Sequence, residues 1–273
     1  MLVTEVLELL IAKSPSVYTS ESYKVSSSKF QEAIKSLADP LLPIRAYGLT
    51  ILKTMVLCKD PIAKDKMELI LNIFLEQLED SDSFIYLNAV KGLSALTDVY
   101  PSFSLSRILE RYLDIEGYTM DYRLRIGECI LQTIQRSGQS FSKIGKPILE
   151  AISKVLRDDQ KEIRSSAMSC LAMISETDPL SLLPYLYQIM DYFTNLLIFE
   201  KSVETRRGAL FNFCSLIHGL GTSIFTSIPK DIIEQLQTRL EHVAETDHDI
   251  LTRSHAQIAI AEMESIIAEY LKI

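Results

Sequence analysis

Apolar side chains recur at spacings of three and four along most of the chain, the mark of helices that bury one face. Residues 64–79 (KDKMELILNIFLEQLE) set Met67, Ile70, Leu71, Phe74, Leu75 and Leu78 on one broad stripe. Such stripes alternate with short polar corners, and the corners repeat. Six anchor positions, Arg45, Tyr86, Arg123, Arg164, Arg206 and Arg253, are separated by 41, 37, 41, 42 and 47 residues. Three positions after each stand Gly48, Ala89, Ile126, Ala167, Ala209 and Ala256, nearly all small. Seven positions after each stand Leu52, Leu93, Ile130, Leu171, Phe213 and Ile260, all apolar. Six positions before stand Asp39, Asp80, Gly117, Asp158, Glu200 and Asp247, all acidic except the glycine.

A period of ~40 residues with two helices per period predicts an all-α, armadillo-type α-solenoid of about six HEAT-like helix pairs. Each unit exposes an apolar face that a neighbouring unit must cover. The small residue at the third position lets paired helices approach closely, and the apolar residue one turn later fills the gap between repeats. The acid is expected to cap the second helix. Arginine in a first turn is disfavoured by the helix dipole and calls for a carboxylate partner. That partner is either the acid six residues earlier or its copy in the next repeat. The corner Asp39-Pro40-Leu41-Leu42-Pro43-Ile44-Arg45 shows the motif most fully, with two prolines fixing the turn. Asp80, Arg164, Arg206, Asp247 and Arg253 are its counterparts further on. The third unit is the weakest, because its acid is missing and Arg125 competes with Arg123 as anchor.

Ahead of the array, residues 1–13 read as a short amphipathic helix with Val3, Val6, Leu7 and Leu10 on its apolar face. Residues 14–28 hold seven serines and read as a flexible linker, leaving 29–273 as the solenoid. The last helix, about residues 250–271, carries a wide stripe through Ala256, Ile260, Met263, Ile267 and Tyr270, with Ile258 and Ile266 beside it. Residues 2–12 are therefore expected to dock on an exposed solenoid surface of this chain or of a second copy.

Composition narrows the chemistry. Nine glycines in 273 residues argue for long helices over a turn-rich β fold. The chain has 28 Lys+Arg against 36 Asp+Glu, a net charge of −8. That sign opposes a nucleic-acid partner. The start lacks a basic n-region, and no window approaches ~18 uncharged apolar residues, so neither a signal peptide nor an integral membrane segment is expected. Cys58, Cys129, Cys170 and Cys214 lie 71, 41 and 44 residues apart, form no CxxC pair, and are expected in the core of a reduced protein. Gly219-Leu220-Gly221 lacks the rest of a dinucleotide fingerprint and reads as a helix corner, and Gly145-Lys146 lacks the upstream glycine of a P-loop. Glu245 and His248 have E-x-x-H spacing without the second copy that a metal site needs. Ser254 and His255 are adjacent on a helix and cannot face each other. No catalytic residue, cofactor or metal is therefore expected, and the chain reads as a non-enzymatic binding scaffold.

If the second helices line the concave surface, their outward positions fall two, five and eight after each anchor. These give Tyr47, Thr50, Lys53, Asn88, Lys91, Ser94, Arg125, Glu128, Ser166 and Ser169 as a candidate groove for an extended protein partner. The same positions become apolar later, at Phe211 and Ile258.

The runs LADPLLPIRAYGL (37–49), FLEQLEDSDSFIYLNAVKGLSAL (74–96), DYFTNLLIFEKSVETRRGAL (191–210) and AETDHDILTRSHAQIAIAEME (244–264) resemble one carboxy-terminal HEAT region. It belongs to the family called "required for the nuclear transport of RNA polymerase II", whose animal members are called transport and Golgi organization protein six. The resemblance covers that carboxy-terminal region and not the family's long amino-terminal helical portion. The resemblance implies an adaptor that helps RNA polymerase II assemble or enter the nucleus, with polymerase subunits, import factors or nucleoporins as partners. It also implies a cytoplasmic protein able to shuttle to the nucleus. The animal members suggest the alternative of a Golgi-associated scaffold of the secretory pathway. No catalytic residues come with the family.

Overall fold

A computed structural model describes residues 20–272, and among them there is no strand. The amphipathic stretch 1–13 and its expected docking lie outside the described residues. The chain divides into two compact units, one ending at Gly92 and one beginning at Leu93. The division falls inside a single helix.

The first unit opens with α1 (Ser20–Leu37) and α2 (Leu42–Leu57), which pack against each other along their length. Here the expected linker is corrected: Ser20 to Ser28 are helical. Serine has only modest helix propensity, but Ala33 is fully buried against α2 and the Ser26 hydroxyl donates to Asp60 at 2.8 Å. Tertiary contact overrides local preference. Close approach of the pair depends on Gly48, where an added Cβ would sit 2.8 Å from the Ala33 carbonyl oxygen. Two short elements, α3 (Pro61–Asp65) and α4 (Met67–Gln77), lead into α5 (Ser83–Val99). On α4 the predicted stripe is buried at Ile70, Leu71, Phe74 and Leu75, and Leu78 just beyond it is buried too.

The second unit continues the pairing. First helices α6 (Pro101–Leu113), α8 (Gly145–Val155), α10 (Leu186–Phe199) and α13 (Lys230–Thr246) precede second helices α7 (Met120–Ser137), α9 (Lys161–Thr177), α11 (Val203–Leu220) and α14 (Ile250–Tyr270). A short helix α12 (Ser223–Ser227) joins α11 to α13. Second helices stack on one another, α7 on α9, α9 on α11 and α11 on α14, as expected of a HEAT or armadillo array. First helices do so less evenly: α6 packs on α8 and α10 on α13, while the 3-10 helix Pro179–Tyr185 is inserted between α8 and α10.

The third position after every anchor is buried, from Gly48 to Ala256. The seventh is buried from Leu52 to Phe213 and half-buried at Ile260 in α14. The Phe193 and Phe213 rings meet edge-on at 6.0 Å, a favoured aromatic geometry at the centre of the fifth pair. Gly221 ends α11 with φ 52°, a conformation that favours glycine, so Gly219-Leu220-Gly221 is the helix corner its context predicted. The cysteines split: Cys129 and Cys170 are buried, Cys214 is half-buried, and Cys58 is exposed. The expected core placement of Cys58 is corrected by its position just past the end of α2, at the C-cap.

Candidate functional site

The corners fix the orientation of every second helix, and their chemistry repeats. Each corner acid accepts the backbone N–H two residues on: Asp39 from Leu41, Asp80 from Asp82, Asp158 from Gln160, Glu200 from Ser202 and Asp247 from Asp249. The donating N–H belongs to the residue just before the helix. The acid therefore shapes the turn, and the helix cap falls one step later. Asp249 accepts from the Thr252 N–H and Ser202 from the Thr205 N–H. The expectation that the acid itself caps the helix is corrected accordingly.

Arg164 and Arg206 each bridge two corners, and the other anchor arginines make one or other of these contacts. One side of the Arg164 guanidinium donates to the Asp158 carbonyl, of Arg206 to the Glu200 carbonyl, and of Arg253 to the Asp247 carbonyl. The other side reaches forward to the acid of the next repeat. Arg45 pairs with Asp80, Arg123 with Asp158, Arg164 with Glu200, and Arg206 bidentately with Asp247 at 2.8 and 3.0 Å. Of the two partners open to the sequence, the carboxylate belongs to the following repeat, and the arginine's own corner supplies only carbonyl oxygens. Arg123 is the anchor of the third pair. With Gly117 in place of its acid, its Nε donates to the Tyr112 carbonyl at the end of α6, where an orphan acceptor and the helix dipole favour a cation. Burial would raise the pKa of Asp158, Glu200 and Asp247. The hydrogen bonds from arginine and from backbone N–H outweigh it and hold all three below the usual carboxylate value.

Helix geometry then explains the exposed face. At about 100° per residue, the core side lies between the third and seventh positions after the anchor. The fifth position is about 180° from it, with the second and eighth about 60° to either side. Thr50, Lys91 and Ser169, all fifth positions, are exposed, as are Phe211 and Ile258. Glu128, also fifth, is half-buried and accepts from the Gln132 side chain at 2.9 Å. Among second positions Tyr47 is exposed, while Asn88, Arg125 and Ser166 are half-buried. The Asn88 amide donates back to the Phe84 carbonyl, and Ser166 accepts from the Tyr112 hydroxyl at 3.2 Å. Lys53, an eighth position, is half-buried. Ser94, the other eighth position, is corrected: it is fully buried, its hydroxyl has no partner, and it does not reach the surface.

In the first unit Tyr47 and Thr50 come together in a groove of about 280 Å³, whose walls include Lys29, Glu32 and Cys58. In the second unit a larger groove of about 690 Å³ runs past Ile258, Cys214, His218 and Glu262, with His218 and Glu262 2.8 Å apart. His218 and Glu262 lie twelve and nine positions after their anchors, beyond the three positions read from the sequence. Extending the helical count by one turn reaches both. Burial pushes the Cys170 thiol up to about 12 and Cys214 up to about 11, so neither supplies a thiolate at neutral pH. Among the described residues no three of His, Cys, Asp and Glu are placed to hold a metal ion, and no helix is long and apolar enough to cross a membrane.

Two family models match this chain: "Required for nuclear transport of RNA pol II C-terminus 1" over residues 30–140 and "C-terminus 2" over residues 233–265, together just over half of it. The chain belongs to this family. It is 28% identical to the RNA polymerase II assembly factor RTP1 of Saccharomyces cerevisiae, over 89% of this chain and 26% of that protein. It is 25% identical to Transport and Golgi organization protein 6 of Drosophila melanogaster, over 74% of this chain and 22% of that protein. The chain thus spans about a quarter of the length of these relatives. Among solved structures, Kap121p overlays with a TM-score of 0.55 at 14% identity, covering 87% of this chain and 23% of Kap121p. The designed armadillo repeat protein YIII(Dq)4CqI overlays at 0.52 with 15% identity, covering 86% and 99%. These likenesses establish the armadillo/HEAT fold.

Proposed function

We propose that this chain is a non-enzymatic adaptor module that holds protein partners during assembly or nuclear import of RNA polymerase II. Its membership of a family described by that transport carries the reading, supported by the assembly-factor name of the yeast relative. Partners are polymerase subunits, and on the import side transport factors or nucleoporins, in a protein that works in the cytoplasm and shuttles to the nucleus. In each unit the contact surface is the exposed face of its own second helices, centred on the fifth positions Thr50 and Lys91 in the first unit and Ser169, Phe211 and Ile258 in the second. Within a unit, outward positions repeated from one second helix to the next suit an extended partner segment.

Affinity purification of the tagged chain with cross-linking tests partner and surface together. Polymerase subunits should be recovered, with cross-links at Lys53 and Lys91, and Lys91→Glu should lower the yield. Absence of polymerase subunits and import factors at low salt overturns the reading. The Drosophila relative supports a second one, a peripheral scaffold of Golgi organisation. Co-fractionation with Golgi membranes without nuclear interactors would favour it.

A further inference from the structure

A cleft of about 440 Å³ opens in the second unit between α8 and α10, where the inserted 3-10 helix keeps the first helices apart. Its floor is apolar, made by Leu149, Ile152, Leu156, Leu171 and Ile189. A charged rim sets it apart from an ordinary gap between repeats. Lys154 and Arg157 are exposed, border the cleft and take part in no ion pair among the described residues. In the same unit Arg123, Arg164 and Arg206 are each matched to a carboxylate. Two unmatched cations beside an apolar floor, in a chain of net charge −8, make this a local site of the opposite sign.

We propose that this cleft binds an acidic peptide segment of a partner protein, seating a large apolar side chain on the floor between α8 and α10. Carboxylates flanking that side chain face Lys154 and Arg157. The volume is that of a cleft which buries most of a small ligand. The cation pair makes association fast and sensitive to salt. The lining residues are distinct from the exposed positions of the second helices, so the inference stands apart from the adaptor surface proposed above.

Selection of a random linear peptide library on the full chain, followed by fluorescence anisotropy of the enriched peptides, tests it. Enriched peptides should carry Asp or Glu beside a large apolar residue. The double variant Lys154→Glu with Arg157→Glu should weaken their binding about tenfold or more. Lys154 and Arg157 are exposed, so the charge reversal leaves the fold intact, and an unchanged melting temperature verifies this. Lys230→Glu, a charge reversal away from the cleft, should leave binding unchanged. No enrichment over a blank selection, enriched peptides without carboxylates, or equal binding to the charge-reversed variant would each overturn the proposal.

Discussion

At the corner of the third pair, the Arg123 side chain is 1% exposed and its partner Asp158 3%. At the fifth-pair corner, Arg206 and Asp247 are 13% and 8% exposed, and the neighbouring Arg207 and Asp249 are 34% and 19%. The chemistry is the same, a guanidinium bridging to the carboxylate of the following repeat. What differs is the second acceptor. Arg206 donates to carbonyls of its own corner, while Arg123, with glycine at its acid position, donates to the end of α6. An arginine tied to a helix end inside the unit is withdrawn from water, and its energetics change accordingly. A buried pair is expensive to desolvate but far more expensive to break, whereas an exposed pair is screened.

That contrast gives an ordered set of tests. Arg123→Ala leaves Asp158 buried and unpaired, and stability should fall by about 3–5 kcal/mol, read as a lower urea midpoint. Changing both members, Arg123→Met with Asp158→Asn, should recover part of that loss, because no lone charge remains. A double variant as unstable as Arg123→Ala would mean that packing dominates at this corner. Arg206→Ala should cost ~1–3 kcal/mol, the value of a hydrogen bond to a charged group. An equal effect at the two corners would erase the distinction drawn from burial.

Acid should weaken both corners. The pKa values of Asp158, Glu200 and Asp247 are lowered in the folded chain, so their contribution is present above the ordinary carboxylate range near pH ~4. It is lost as pH falls through that range toward the folded-state values. The melting temperature should therefore decline on acidification, with a shallower slope in Asp247→Asn. Parallel profiles for the two proteins would exclude Asp247 as a source of the decline. The smallest effect belongs to Arg207→Ala, whose pair with Asp249 is the most open of those compared. Its destabilisation should be detectable at low salt and disappear at high salt, where the variant and the parent chain should melt together.

Much of the framework was legible in one dimension because solenoid contacts are local. A first-helix stripe such as Ile70, Leu71, Phe74 and Leu75 meets only its own partner helix and adjacent repeats, so periodicity alone marks it as core. The same held for the small residues at the third position. The candidate face was legible in part. The fifth positions Thr50, Lys91 and Ser169 are exposed, but the eighth position drifts toward the core, and at Ser94 neighbouring side chains close over it. The groove beside His218 and Glu262 was missed because those residues lie past the window counted, on two helices that only packing brings together.

The sequence by itself determined the helix pairs, their period and the residue types at each corner, since amphipathic spacing and turn chemistry act over a few residues. Tertiary structure decided what depends on distance between segments far apart in the chain. It gave Arg45, Arg123, Arg164 and Arg206 the carboxylate 35, 35, 36 and 41 residues ahead, although Arg45, Arg164 and Arg206 each have a nearer corner acid of the same charge. It buried one such pair and left another wet, made a helix of a serine-rich run by packing α1 on α2, and opened a cleft beside Tyr192. Charge and apolarity are written along the chain, but desolvation and hydrogen-bond reach are properties of three-dimensional neighbours, and those exist only once the helices have stacked.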